Sequence, residues 1–212
     1  MSRLKSFALA GTMLVLLTLL PPGELFGQEF NAGVFGGLNA SQVDRDGYGG
    51  YNKLSLTGGV FVNREFSPDF FWQLELKYGG RGAYYLNPDN VLDFQKTSFR
   101  YIELPLSVHY VMKEKVQVEI GLSPDVLISY AAYDDQRNEA PLDEPLGGNR
   151  RFGLNAFTGL HYWFYPIFGV GLRFTYSLLP FSLREGASVR YLDSGYFHNV
   201  LSLTVSYKFL HP

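Results

Sequence analysis

The stretch FRYIELPLSVHYV, residues 99–111, changes side-chain character at almost every position. Ile102, Leu104, Leu106, Val108 and Tyr110 fall on one side. Tyr101, Glu103, Pro105, Ser107 and His109 fall on the other. Strand side chains alternate with a period of two, so this is a strand with one apolar and one polar face. Eight segments carry the pattern: 30–39, 54–63, 70–79, 99–111, 116–130, 152–164, 168–178 and 197–209. None has the spacing of an amphipathic helix.

The connections alternate too. REFSPD, KEK and YPI join segments two to three, four to five and six to seven. The other gaps are long and polar, as in SQVDRDGYGGYNK and AAYDDQRNEAPLDEPLGGNR. Short turns at one end and long loops at the other are the layout of an outer-membrane barrel, with turns in the periplasm and loops outside. An even strand count places both termini on the turn side.

Which face is inside follows from volume. Eight strands enclose a space just wide enough for side chains. Eight rows of Leu, Val, Tyr and Phe would overfill it. The opposite face carries Glu75, Lys77, Glu103, Glu119, Arg173 and Lys208, with Gly33, Gly59, Gly121, Gly159, Gly169 and Gly171. Small residues and pairing charges suit a narrow lumen, so the apolar face is predicted to meet lipid. Aromatic residues gather where that face ends: Phe30, Trp72, Tyr110, Tyr162, Phe168, Tyr207 and Phe209 toward the turns, Tyr78, Tyr130, Phe152 and Tyr176 toward the loops. Two such girdles are expected of a membrane barrel. The fold class predicted is all-β: an eight-stranded, antiparallel, up-and-down transmembrane β-barrel.

Composition agrees. The chain has 15 Tyr, 18 Phe and 23 Gly, which fits a barrel, and no Cys, which excludes disulfides, thiol nucleophiles and Cys-ligated metals. The 18 basic residues balance 20 acidic ones, so there is no nucleic-acid signature. At the N-terminus Arg3 and Lys5 precede an apolar run from Phe7 to Leu20, then Pro21, Pro22 and Gly23. This is the layout of a cleaved secretory signal over residues 1–27, leaving residues 28–212 as the barrel domain.

AGVFGGLNAS (32–41), LELKYGGRGA (74–83), FRYIELPLSVHYV, IGLSPDVLISY (120–130) and LSLTVSYKF (201–209) resemble, in order and spacing, the small outer-membrane β-barrel family widespread in Bacteroidota, the porin-family or PorT-like barrel domain. The resemblance implies fold and location. It carries over no catalytic motif, although one branch of the family serves protein secretion and gliding.

Candidate sites are few. Glu75, Lys77, Glu103, His109, Glu119, Arg173 and Lys208 form a predicted polar network in the lumen. Pairing 112 with 116 across the KEK turn sets His109 opposite Glu119 and Ser107 opposite Gly121. His161 also points inward, so a two-His metal site is weighed against a structural His–Glu bond, and the bond is preferred. His198 beside Ser194 and Asp193 is the one rim constellation with nucleophile, base and carboxylate, and it reads as loop chemistry. DRDG at 44–47 lacks the third acid and closing Glu of a calcium loop. Pro105 and Pro124, each forfeiting a ladder donor, lie at similar height and predict a shared bulge. The third long loop, with Tyr133, Asp134, Asp135, Arg137 and Glu139, has a composition suited to gripping a partner.

These readings predict a monomeric, non-enzymatic envelope barrel with no cofactor and no metal. Its expected surroundings are outer-membrane lipid and lipopolysaccharide, with an envelope protein as the candidate partner. A small porin, and a barrel enzyme acting on lipid or peptide, are the alternatives.

Overall fold

A computed structural model describes residues 30–44, 50–86, 94–133, 150–183 and 195–209. Ten strands follow in order: β1 (Asn31–Asp44), β2 (Lys53–Ser67), β3 (Phe70–Leu86), β4 (Phe94–Glu103), β5 (Leu106–Lys113), β6 (Val116–Tyr133), β7 (Phe152–Trp163), β8 (Phe168–Ser177), β9 (Ser182–Leu183) and β10 (Gly195–Lys208). All pairings are antiparallel, and β1 pairs with β10 to close the sheet. β4 and β5 are collinear halves of one stave, interrupted at Pro105, and β9 only extends the pairing at the start of β10, at the end with the long connections. The result is an eight-stave up-and-down barrel, closed by pairing its first and last strands so that neither is left as a sheet edge.

The alternation places side chains as the volume argument requires. On β5, Leu106, Val108 and Tyr110 are exposed while Ser107 and His109 are buried. On β10, Leu201, Leu203 and Val205 face out while Ser202 and Ser206 face in. Most of the outer face is apolar, and most of the polar and charged side chains of the staves are buried inside, together with aromatic residues such as Phe61, Phe71 and Phe157.

Two local details differ from the sequence reading. The prolines make no bulge. Lys77 pairs with Glu103 and Leu74 with Leu106, so β3 keeps one register across Pro105. The same holds toward β6, from Glu103–Asp125 to Leu106–Leu122. The proline carbonyls still accept bonds, from the Glu75 N–H at 2.9 Å and the Leu104 N–H at 3.0 Å. The register shift lies higher, between Arg100 and Tyr101, where Leu127 and Ser129 take successive partners and Ile128 is extra.

That bulge has a consequence for facing. One added residue reverses the parity of the strand beyond it. Below it, Glu119, Ser123, Asp125 and Leu127 point inward. Above it, Tyr130 comes level with Phe99 and packs on it, ring centroids 5.0 Å apart. Tyr130 therefore joins the interior instead of the lipid-side girdle where simple alternation placed it.

Candidate functional site

The lumen is filled in two layers of charge under an aromatic plug. Arg173, from β8, anchors the layer nearer the turns. Its Nη1 and Nη2 donate to the Glu75 carboxylate at 2.9 and 2.6 Å. Its Nε and Nη2 donate to Glu119 at 2.7 and 2.8 Å. One guanidinium fork thus reaches from β8 to β3 and β6, the staves on either side of β4 and β5, using the planar geometry that suits carboxylates. Phe157 lies under it, 4.3 Å from ring centroid to Cζ. Gln73 donates to Glu75 at 2.9 Å and Asn63 to Gln73 at 3.2 Å, extending the chain toward the wall.

Arg81 anchors the second layer. It reaches Glu103 at 2.8 Å, Asp125 at 2.9 Å and the Asn155 amide oxygen at 3.2 Å, with Tyr101 stacked beside it. Lys77 meets the other Glu103 oxygen at 3.4 Å. Asn155 donates to Asp125 at 2.7 Å and is itself held by Ser177. Glycines leave room for these carboxylates: a Cβ on Gly79 would strike Glu103, and one on Gly159 would strike Glu119. Above the charges, Phe99, Tyr101 and Leu127 form an apolar cluster packed by Tyr130 and Phe181.

The predicted lumen residues therefore meet, with one exception. Glu75, Lys77, Glu103, His109, Glu119 and Arg173 are buried together. Lys208 stands apart at the turn-end mouth, its Nζ 4.0 Å from the Trp163 ring centroid. Arg81 and Asp125 complete the second layer and were not singled out from the sequence. Arg81 follows a Gly-Gly pair that reads as a strand end, yet β3 runs on to Leu86. Continuing the parity of Glu75 and Lys77 would have found it.

His109 and Glu119 face each other in register, and Ser107 faces Gly121, although the turn closes on Lys113–Val116 and not on 112–116. His161 lies 3.1 Å from Glu119, and His109 3.4 Å. The three candidate ligand atoms lie within 4.8 Å of one another. Arg173, however, already occupies both Glu119 oxygens, and Ser107 holds His109 Nε2 at 2.9 Å. A divalent ion there would sit against a guanidinium, so the trio is suited to hydrogen bonding.

His198 is no rim base. It is buried, stacked on Phe181 at 4.0 Å and hydrogen-bonded to the Tyr101 hydroxyl at 3.0 Å. Ser194 and Asp193 lie outside the described residues, as do Arg45–Gly47 of the DRDG stretch, the signal segment, and Asp134, Asp135, Arg137 and Glu139. Tyr133 closes β6.

The family model for the outer membrane protein beta-barrel domain matches residues 26–182. Among solved structures, the chain is similar to Ail, the attachment invasion locus protein of Yersinia pestis. Identity is 15%, with 85% of this chain and 99% of that one covered at a TM-score of 0.50. Neisserial surface protein A is similar at 11% identity, covering 85% of this chain and 97% of that one, with a TM-score of 0.48. No protein of curated function matches in sequence. The first likeness shows the eight-stranded fold. The family match covers most of the chain and agrees with a closed barrel that is apolar outside and charged within: the chain belongs to the outer membrane protein beta-barrel domain family.

Proposed function

We propose that this outer-membrane barrel is non-enzymatic, that its interior is sealed, and that its long connections bind a component of the cell envelope. In this reading residues 1–27 are removed on export, the barrel is monomeric, the long connections face outward and the termini face the periplasm. The observation that supports it is the lumen network. Two arginines cross-link four carboxylates from three strands, and the cavity beside Arg173 measures about 20 Å³. That volume holds roughly one water.

Liposomes reconstituted with the protein are accordingly expected to exclude disaccharides. Osmotic swelling in a disaccharide gradient checks this, and rapid swelling would make the protein a porin. For the binding role, replacing Asp134 to Gly148 by a short Gly-Ser turn is expected to leave heat-modifiable migration intact and to abolish recovery of crosslinked partners. Loops on a rigid scaffold carry binding and tolerate replacement. Glu75→Gln keeps the Arg173–Glu119 pair and should retain the same partners. Partners kept by the loop variant and lost by the lumen variant would move the function inside the barrel.

A further inference from the structure

The barrel wall is split on one side. β1 and β2 stay paired up to Ser41–Lys53, and β3 and β4 up to Leu86–Phe94, but β2 and β3 part above Thr57–Gly79. Beyond that point β3 leans inward behind β2. Its Gly80 carbonyl accepts from Asn39 Nδ2 at 2.9 Å and its Gly82 carbonyl from Ser41 Oγ at 3.0 Å, both from β1. Gly82 makes the bend: its φ is +147°, and a Cβ there would strike the Thr97 carbonyl.

The gap between upper β2 and upper β3, β4 and β6 is a cavity of about 440 Å³, which reaches Arg81 and Phe99 at its inner end. Its wall breaks the rule of the rest of the exterior. Lys96, Ser98 and Arg100 of β4, with Ser129 of β6, line it, whereas the lipid-facing positions of the other staves carry mainly aliphatic and aromatic residues. The Ile128 bulge brings Ser129 to this side, level with Arg100. Lys53 closes the third side, near enough for its charge to feel Lys96 and Arg100. Among the described residues no carboxylate lies within ion-pair distance of any of the three. The same lining carries apolar side chains: Leu54 is 65% exposed, Leu56 70% and Tyr78 38%.

Three cations that pair with no described carboxylate, beside apolar side chains at the parting of β2 and β3, match an amphiphile with an anionic head. We propose that this split is a binding site for a phosphorylated glycolipid of the outer leaflet. Its phosphate sits among Lys53, Lys96 and Arg100, and one acyl chain lies along Leu54 and Leu56. The assignment of an outer leaflet rests on the orientation proposed above, in which the long connections face outward.

The test uses the full mature barrel in phosphatidylcholine nanodiscs, titrated with diphosphoryl lipid A and read by native mass spectrometry. Lipid A should bind the wild type, and Lys53→Gln, Lys96→Gln and Arg100→Gln combined should weaken it by roughly tenfold or more. Dephosphorylated lipid should bind both proteins equally and poorly. Equal lipid A binding by wild type and triple variant would overturn the site, as would tight binding of the dephosphorylated form. Displacement by inorganic phosphate at lipid-like concentrations would make it a free-phosphate site and overturn the lipid. If the triple variant does not give a heat-modifiable barrel, Ser98→Glu sets a carboxylate among the cations and should lower binding alike. Protease access to the long connections on intact cells tests the orientation separately, since nanodisc binding is indifferent to it.

Discussion

Arg173→Met is expected to destabilise the barrel by about 3–5 kcal/mol, the largest effect of any single substitution considered. The arginine neutralises Glu75 and Glu119 together through four short bonds, and Glu119 has no solvent exposure. Without it, two carboxylates from the staves flanking β5 remain buried and repel each other. Arg173→Lys should recover only part of the loss, because one ammonium has no fork with which to serve two carboxylates. Arg173→Met combined with Glu75→Gln and Glu119→Gln should recover most of it, since removing all the charges also removes their desolvation cost. Urea unfolding in detergent micelles measures the difference, and the temperature at which unboiled protein loses its folded band in SDS gives a second reading. A single variant as stable as wild type would mean that water reaches the carboxylates, and the sealed-lumen proposal would fall with it.

How much of this was readable in the sequence depended on the range of the interaction. Alternation is local, and it located all eight staves and the inward facing of Glu75, Glu103, Glu119 and Arg173. Pairing is not local. Glu75 and Arg173 are 98 residues apart, and nothing in either segment says that one fork joins them. Errors arose where one residue changes the parity. The extra Ile128 turned Tyr130 inward, although the segment around it alternates without a visible break. The prolines, the visible irregularity, were absorbed without a register shift because their carbonyls still accept bonds. Gly79 and Gly80 read as a strand end, which hid Arg81. In the fold they mark the place where β3 leaves β2, and the cationic split opens there.

Leu106→Arg is expected to cost about 2–4 kcal/mol in a bilayer, because it sets a charge on the lipid face near mid-depth. Leu106 is 54% exposed on β5, flanked by Leu74 and Leu122 on the neighbouring staves. Met112, on the same stave beside the short turn, is 51% exposed, and Met112→Arg should cost only about 0–1 kcal/mol, because cost falls with distance from the midplane. Exposure is nearly equal at the two positions, so depth alone separates them. Ser107→Arg looks like the natural polar-face control and is not one. Ser107 is buried and bonded to His109, so an arginine there overfills a packed lumen. The two kinds of damage are distinguishable by bilayer thickness. The Leu106→Arg penalty should shrink in short-chain lipids, where the guanidinium reaches water sooner, while the Ser107→Arg penalty should stay constant. Unfolding in vesicles of two chain lengths measures both. Equal costs at Leu106 and Met112 in both lipids would mean that the apolar face does not lie in hydrocarbon.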